Sequence, residues 1–180
     1  MRRLHYNALA DERLEAASRS VNRVALGHGR HGNQPWQSGS VTRARSTAAG
    51  AAAALVWAAA ERIDRQIFDN DYTDVALLGK LVTRSRAWPA AGIALHAANG
   101  AAFGLAFDLV RRRTSIPPRR LALGLALAEH IALFPLGTLV DRYHPARGEP
   151  GVERVFGGRA FAQATQRHAL FGVVLGRLAA

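Results

Sequence analysis

The sequence predicts an all-α protein, a four-helix transmembrane bundle in which a faint repeat suggests two tandem helical hairpins. Three observations predict it. Long apolar segments recur along the 180 residues, the charges are concentrated between them, and alanine and glycine fill each segment. Hydrophobic residues make up 49%, and 24 Lys+Arg against 13 Asp+Glu leave a formal charge of +11. The mean hydropathy of -0.04 resembles that of a soluble protein only because the average mixes the two textures. Cysteine is absent, which excludes disulfide scaffolds, thiolate nucleophiles and Cys-type zinc sites.

Residues 1–45 read as a basic polar extension with eight Arg against three acids. Leu4, Leu9, Leu14, Ala17, Val21 and Val24 recur at roughly helical spacing, so a short amphipathic helix is expected over Tyr6 to Val24. The turn-rich run GHGRHGNQPWQSGS, Gly27 to Ser40, cannot continue it. His28 and His31 in that run read as an exposed turn. Nothing near Arg2 and Arg3 resembles the apolar core of a signal peptide.

Residues 46–180 read as the four-helix membrane domain. The first segment, 46–60, carries no charge but spans only about 23 Å as helix. Continuing it to Phe68 reaches bilayer length, with Glu61 and Arg65 as a neutralising i,i+4 pair. Within the following loop, DNDYTD (69–74) lacks the glycine and glutamate of a calcium loop and reads as a helix-capping turn.

The second segment, Trp88 to Val110, spans about 34 Å. It opens on an interfacial Trp followed by proline, and its strongly polar members are His96, Asn99 and Asp108. Ile116, Pro117 and Pro118 then break the chain. The third segment, Leu121 to Val140, is interrupted by Glu129 and His130, and Pro135 predicts a kink inside it. The fourth, Arg159 to Leu178, contains Gln163, Gln166, Arg167, His168 and Arg177.

Segments two and three lack the polar face that a soluble bundle requires, and the chain has too few other helices to cover them. Charge sets the orientation. The loop between them carries Arg111, Arg112, Arg113, Arg119 and Arg120, whereas residues 61–86 hold five basic and five acidic side chains. The excess of positive charge predicts a multi-pass inner-membrane protein with both termini and the Arg111–Arg120 loop in the cytoplasm. Those five arginines are expected to meet anionic lipid headgroups. Nucleic acid would use the same charge, but neither a recognition helix nor an aromatic stacking platform accompanies it.

His96, Gly100 and Gly104 are matched by His168, Gly172 and Gly176 at an offset of 72 residues, and Gly50 and Gly124 open the preceding segments at an offset of 74. Asp64-Arg65 and Asp141-Arg142 close those segments. Two parallel repeats of one hairpin would produce this pattern. The histidine and glycine stripes, alternating with a helix that contains an internal proline, resemble small four-helix integral membrane proteins of bacteria that carry no assigned activity. The resemblance covers residues 46–178 and implies the architecture, with no catalytic residues to carry over.

By helical rise, His96 and His130 lie about 12 and 13 Å below opposite ends of their segments, and His168 lies at a depth similar to His96. All three would then lie within one turn in depth, with Glu129 beside them. One interpretation is a haem, metal-ion or proton-relay site built from His96, Glu129, His130 and His168. The other has neutral histidines bonding across helices, with Glu129 paired to His130, Arg167 or a partner chain. Gly100/Gly104 and Gly172/Gly176 are helix-packing faces, within the chain or in a dimer.

No P-loop, HExxH or GxSxG motif occurs. The leading functional expectation is a non-enzymatic accessory or structural subunit that packs on another membrane protein, or on itself as a homo-oligomer, through the glycine faces. A redox or proton-transfer subunit using the histidines stands as an alternative. So does a small-solute or ion path lined by Asn99, Glu129 and Gln163.

Overall fold

A computed structural model describes the backbone from Pro35 to Ala180 and side chains from Thr42 onward. The expected helix over Tyr6 to Val24 lies outside the described residues, as do His28 and His31. The chain divides into two units, Met1–Gly39 and Ser40–Ala180.

The described residues are all-helical, with no strand among them. They form α1 (Pro35–Phe68), α2 (Asp74–Val82), α3 (Trp88–Arg111), α4 (Pro118–Leu133), a 3-10 turn (Phe134–Leu136), α5 (Gly137–Tyr143) and α6 (Gly158–Leu178). Helix α1 starts inside the run read as turn-rich, at Pro35, a residue whose fixed φ and missing N–H suit the first helical position. The proline after Trp88 opens α3 in the same way. Pro135 has no N–H to continue α4, so the helix tightens into the 3-10 turn before α5 resumes, which is the expected kink.

Glycine sets the tightest helix contacts. Gly50 on α1 abuts Gly100 and Gly104 on α3, where an added Cβ would strike backbone. On α6, a Cβ at Gly172 would lie 2.8 Å from Leu123 Cα, and one at Gly176 would lie 2.8 Å from Arg119 Cα. Each histidine-bearing helix thus lies antiparallel to the apolar helix before it, as two hairpins would. The repeat is imperfect, because the environment of Gly124 is open and Ala122 and Leu123 take the place that Gly50 has in the first pair. The four glycines are therefore packing residues within the chain, which leaves those faces no room for a partner helix.

Helix α2 lies inside the loop that the sequence presented as a simple connection. After Phe68 the chain turns back, so that Trp57 Nε1 donates to Asp74 Oδ2 at 3.0 Å. Trp57 precedes the end of α1 by eleven residues, or about 16 Å of helix, so Asp74 sits deep alongside α1. Thr73 caps α2, its Oγ1 accepting from Ala76 N at 2.9 Å, which realises the expected capping turn. The helix then runs back along α3, with Gly79 against the Trp88 carbonyl and Gly92 against that of Val75. The 144–157 loop clasps α2: Thr73 N donates to Gly151 O, Lys80 Nζ donates to Pro150 O, and His144 Nε2 bonds Leu77 O.

Among the described residues, α3 and the kinked Pro118–Tyr143 rod are the two helices long and apolar enough to cross a membrane. Their 24 and 26 residues span about 36 and 39 Å. α1 and α6 are long enough but more polar. Large apolar side chains are exposed on all four rods, among them Ile63, Ile67, Ile93, Leu109, Ile131, Leu139 and Val173.

Candidate functional site

The polar residues that interrupt α1 and α6 meet one another. Arg167, the largest fully buried side chain among the described residues, holds Asp64 with two prongs of its guanidinium, Nε to Oδ2 and Nη2 to Oδ1, each 2.6 Å. Nη1 donates to Asp74 Oδ2 at 2.9 Å and lies 3.7 Å from Glu61 Oε1, while Nη2 also reaches the Tyr72 carbonyl at 3.1 Å. The Tyr72 ring lies under the guanidinium, 4.5 Å from its centroid. Gln163, one turn earlier on α6, donates from Nε2 to Asp64 Oδ1 at 2.8 Å and accepts from Asn70 Nδ2 at 2.9 Å.

These contacts correct three expectations. Glu61 does not pair with Arg65; it accepts from the Asp74 backbone N at 2.6 Å, and Arg65 bonds Asp71. Gln163 lines no solute path with Asn99 and Glu129, because its amide is spent inside the ion-pair hub. Asp64 and Asp141, matched in the repeat, diverge in role: Asp141 accepts from the backbone N–H groups of Val155 and Phe156 and so pins the loop before α6.

Burial by itself would push the Asp74 carboxyl up, but the Arg167 guanidinium in contact with it holds it below its ordinary value. Burial, reinforced by the Asp74 charge, pushes the Tyr72 phenol well above its ordinary range, so it stays neutral.

His96, His130 and His168 do gather, the first and last flanking Trp57 and His130 packing on His168. The Trp57 ring meets His96 at 5.1 Å and His168 at 4.7 Å between centroids, both edge-on, and His168 meets His130 at 4.9 Å. Glu129 lies beside them, Oε2 standing 3.9 Å from His168 Nε2. The nitrogens are largely spent locally: His168 Nδ1 bonds the Ala164 carbonyl at 2.8 Å, and His130 Nε2 bonds Thr165 Oγ1 at 2.9 Å. His96 Nε2 is buried and unpartnered. Among the described residues, no three His, Asp or Glu side chains are arranged to hold a metal ion. The rings pack against one another as aromatic surfaces.

A cavity of about 300 Å³ adjoins this stack in the seam between α3 and α4. His96, Asn99, Glu129 and His168 supply polar groups to its wall, together with Asp74 and His144. Trp57, Phe103, Phe171 and the leucines of α2 supply the apolar surface. Sequence spacing placed the histidines and Glu129 at one depth but gave no sign that Trp57 lies between His96 and His168, since spacing does not determine which way a helix faces. His144, read as a mere helix exit, is buried and bonded at both ring nitrogens.

At the far end of the bundle, Arg111 Nη1 donates to the Ala179 carbonyl and Arg45 Nε to the Leu178 carbonyl. The fully buried Asp108 pairs with Arg112 at 2.8 Å. Arg113, Arg119 and Arg120 are exposed at the same end. Of the five arginines expected to meet lipid headgroups, Arg111 thus ties α3 to the end of α6, and Arg112 pairs with Asp108 on its own helix.

The fold and site define an all-helical protein with two candidate membrane-crossing helices, apolar outside and ion-paired within. No known protein family, curated protein or solved structure matches the chain.

Proposed function

We propose that the chain is a non-enzymatic, multi-pass integral membrane protein of the inner membrane, an accessory or structural component in which α1, α3, α4 with α5, and α6 all cross the bilayer. One observation carries this: Asp64 and Arg167, the charges that make α1 and α6 look unfit for lipid, neutralise each other in the interior, where each is 1% exposed or less. Ile63 and Ile67 on the same stretch of α1 are 63% and 68% exposed. A water-soluble protein arranges these classes the other way round, whereas charges inside a bilayer protein pair and turn inward.

Arg45, Arg111, Arg113, Arg119 and Arg120 gather at the end that also carries the C-terminus. This supports the orientation with both termini cytoplasmic, and anionic lipid headgroups as their partners. Partner packing through Gly100/Gly104 or Gly172/Gly176 forms no part of the proposal, because those faces are filled from within. The test is alkaline carbonate extraction of membranes from expressing cells. Retention in the pellet, reversed only by detergent, is expected; release into the supernatant would overturn the proposal.

A further inference from the structure

The two glycine-mediated pairs explain the cavity. Gly100 and Gly104 draw α3 onto α1, and Gly172 and Gly176 draw α6 onto α4, so the seam between α3 and α4 is left without a comparable close contact. The cavity opens there, and Leu81, Asn99 and Leu133, all exposed, stand along it. With these helices in a bilayer, as proposed above, the exposed opening would face lipid. A volume of about 300 Å³ sits at the small end of the range for small-molecule pockets, roughly 300–1,000 Å³.

The wall has one sign of charge. Among the lining residues are two carboxylates, Asp74 and Glu129, three histidines, and no Lys or Arg. Asp74 is already paired with Arg167. Glu129 has no such cation; among the described residues its one ion-pair neighbour is His168 at 3.9 Å. A half-buried carboxylate against apolar walls is stabilised by a cation or a strong donor that comes to it. Trp57, Phe103 and Phe171 line the same cavity and offer the ring faces that attract organic cations. An anionic ligand would meet two carboxylates and no Lys or Arg to balance its charge.

We propose that the α3–α4 seam is a binding site for a small hydrophobic ammonium compound, its N–H groups on Glu129 and its apolar body against Trp57, Phe103 and Phe171. The proposal rests on the membrane assignment of these helices for the route by which such a ligand enters, laterally between Leu81 and Leu133.

The test is calorimetric titration of the full-length protein in mild detergent with three probes of one shape: 2-phenylethylammonium, 2-phenylethanol and phenylacetate. The wild type is expected to bind the ammonium probe about tenfold more tightly than the alcohol, a difference the size of one good charged contact, and to bind phenylacetate least. Glu129→Gln is expected to bring the ammonium and alcohol affinities together, while Asp69→Asn, which removes an exposed carboxylate elsewhere, leaves the preference intact. Leu133→Trp, with Glu129 in place, is expected to weaken all three by narrowing the mouth. Equal binding of ammonium and alcohol by the wild type, no binding of either, or a preference that survives Glu129→Gln would overturn the site. Protein that resists carbonate yet shows no preference would overturn the site and leave the membrane assignment standing. Protein released by carbonate that still shows the Glu129-dependent preference would do the reverse.

Discussion

Arg167 and Asp64, 103 residues apart in sequence, form a two-pronged ion pair inside the bundle, with both N–O distances 2.6 Å. The pair joins the last helix to the first at the level where α2 begins, and Asp74 at the start of α2 completes the guanidinium's shell. The first helix, the start of α2 and the last helix are thereby tied to one planar group. Arginine suits this place because its planar fork grips one carboxylate with two parallel N–H bonds while a further N–H reaches a second, a geometry that the point charge of an ammonium does not offer.

Removing one partner of such a pair leaves the other charged and buried, at a cost of about 3–5 kcal/mol. Arg167→Met is expected to lower unfolding stability in detergent by that amount, and Arg167→Lys to recover only a minor part of it. The double variant Arg167→Met with Asp64→Leu is expected to be more stable than Arg167→Met alone, because it leaves fewer unpaired carboxylates. Thermal melts followed by circular dichroism in one detergent measure all three. Arg167→Met melting with the wild type would show that the hub contributes nothing to stability.

The glycines separate in the same assay. Gly50 has no space for a Cβ, since one would strike the Gly100 carbonyl, whereas a Cβ on Gly124 meets nothing within 4 Å. Gly50→Ala is expected to destabilise by about 1–3 kcal/mol through forced separation of α1 and α3. Gly124→Ala is expected to be neutral, or stabilising by about 0.5–1 kcal/mol from helix propensity. Equal melting temperatures for the two variants would remove close packing as the reason for glycine at position 50.

How much of this was legible in the sequence follows from the range of each interaction. The rods over Trp88–Arg111 and Pro118–Tyr143 and the bend at Pro135 were readable because apolar length and a missing N–H are local properties. So was the shared depth of His96, His130 and His168, which helical rise alone determines. Their azimuth was not, and so Trp57, which stands between His96 and His168, went unseen. Arg167 and Gln163 were read as interruptions of the fourth segment, because a polar residue shows its partner only when the other helix is in place. Helix α2 escaped for a different reason: nine residues containing an internal glycine and a lysine resemble any loop until α3 and the 144–157 loop pack around them.

Topology provides a test independent of stability. The cysteine-free sequence allows single reporters to be introduced without background. Ser115 lies in the loop between α3 and α4 at the arginine-rich end, and Arg86 precedes α3 at the opposite end; both are exposed. If the excess of arginine marks the cytoplasmic side, a membrane-impermeant maleimide added to intact spheroplasts is expected to label Arg86→Cys at once. Ser115→Cys is then expected to react only after permeabilisation. The same pattern must hold for a cysteine in the 144–157 loop, such as Arg147→Cys, which the fold places at the Arg86 end through Arg84 Nη1 donating to the Pro145 carbonyl at 3.0 Å. Labelling of Ser115→Cys from outside, with Arg86→Cys protected, would invert the orientation and place Arg113, Arg119 and Arg120 on the opposite side. Labelling of Arg86→Cys and Arg147→Cys from different sides would break the four-span arrangement itself, since the two loops are bonded to each other at one end of the bundle.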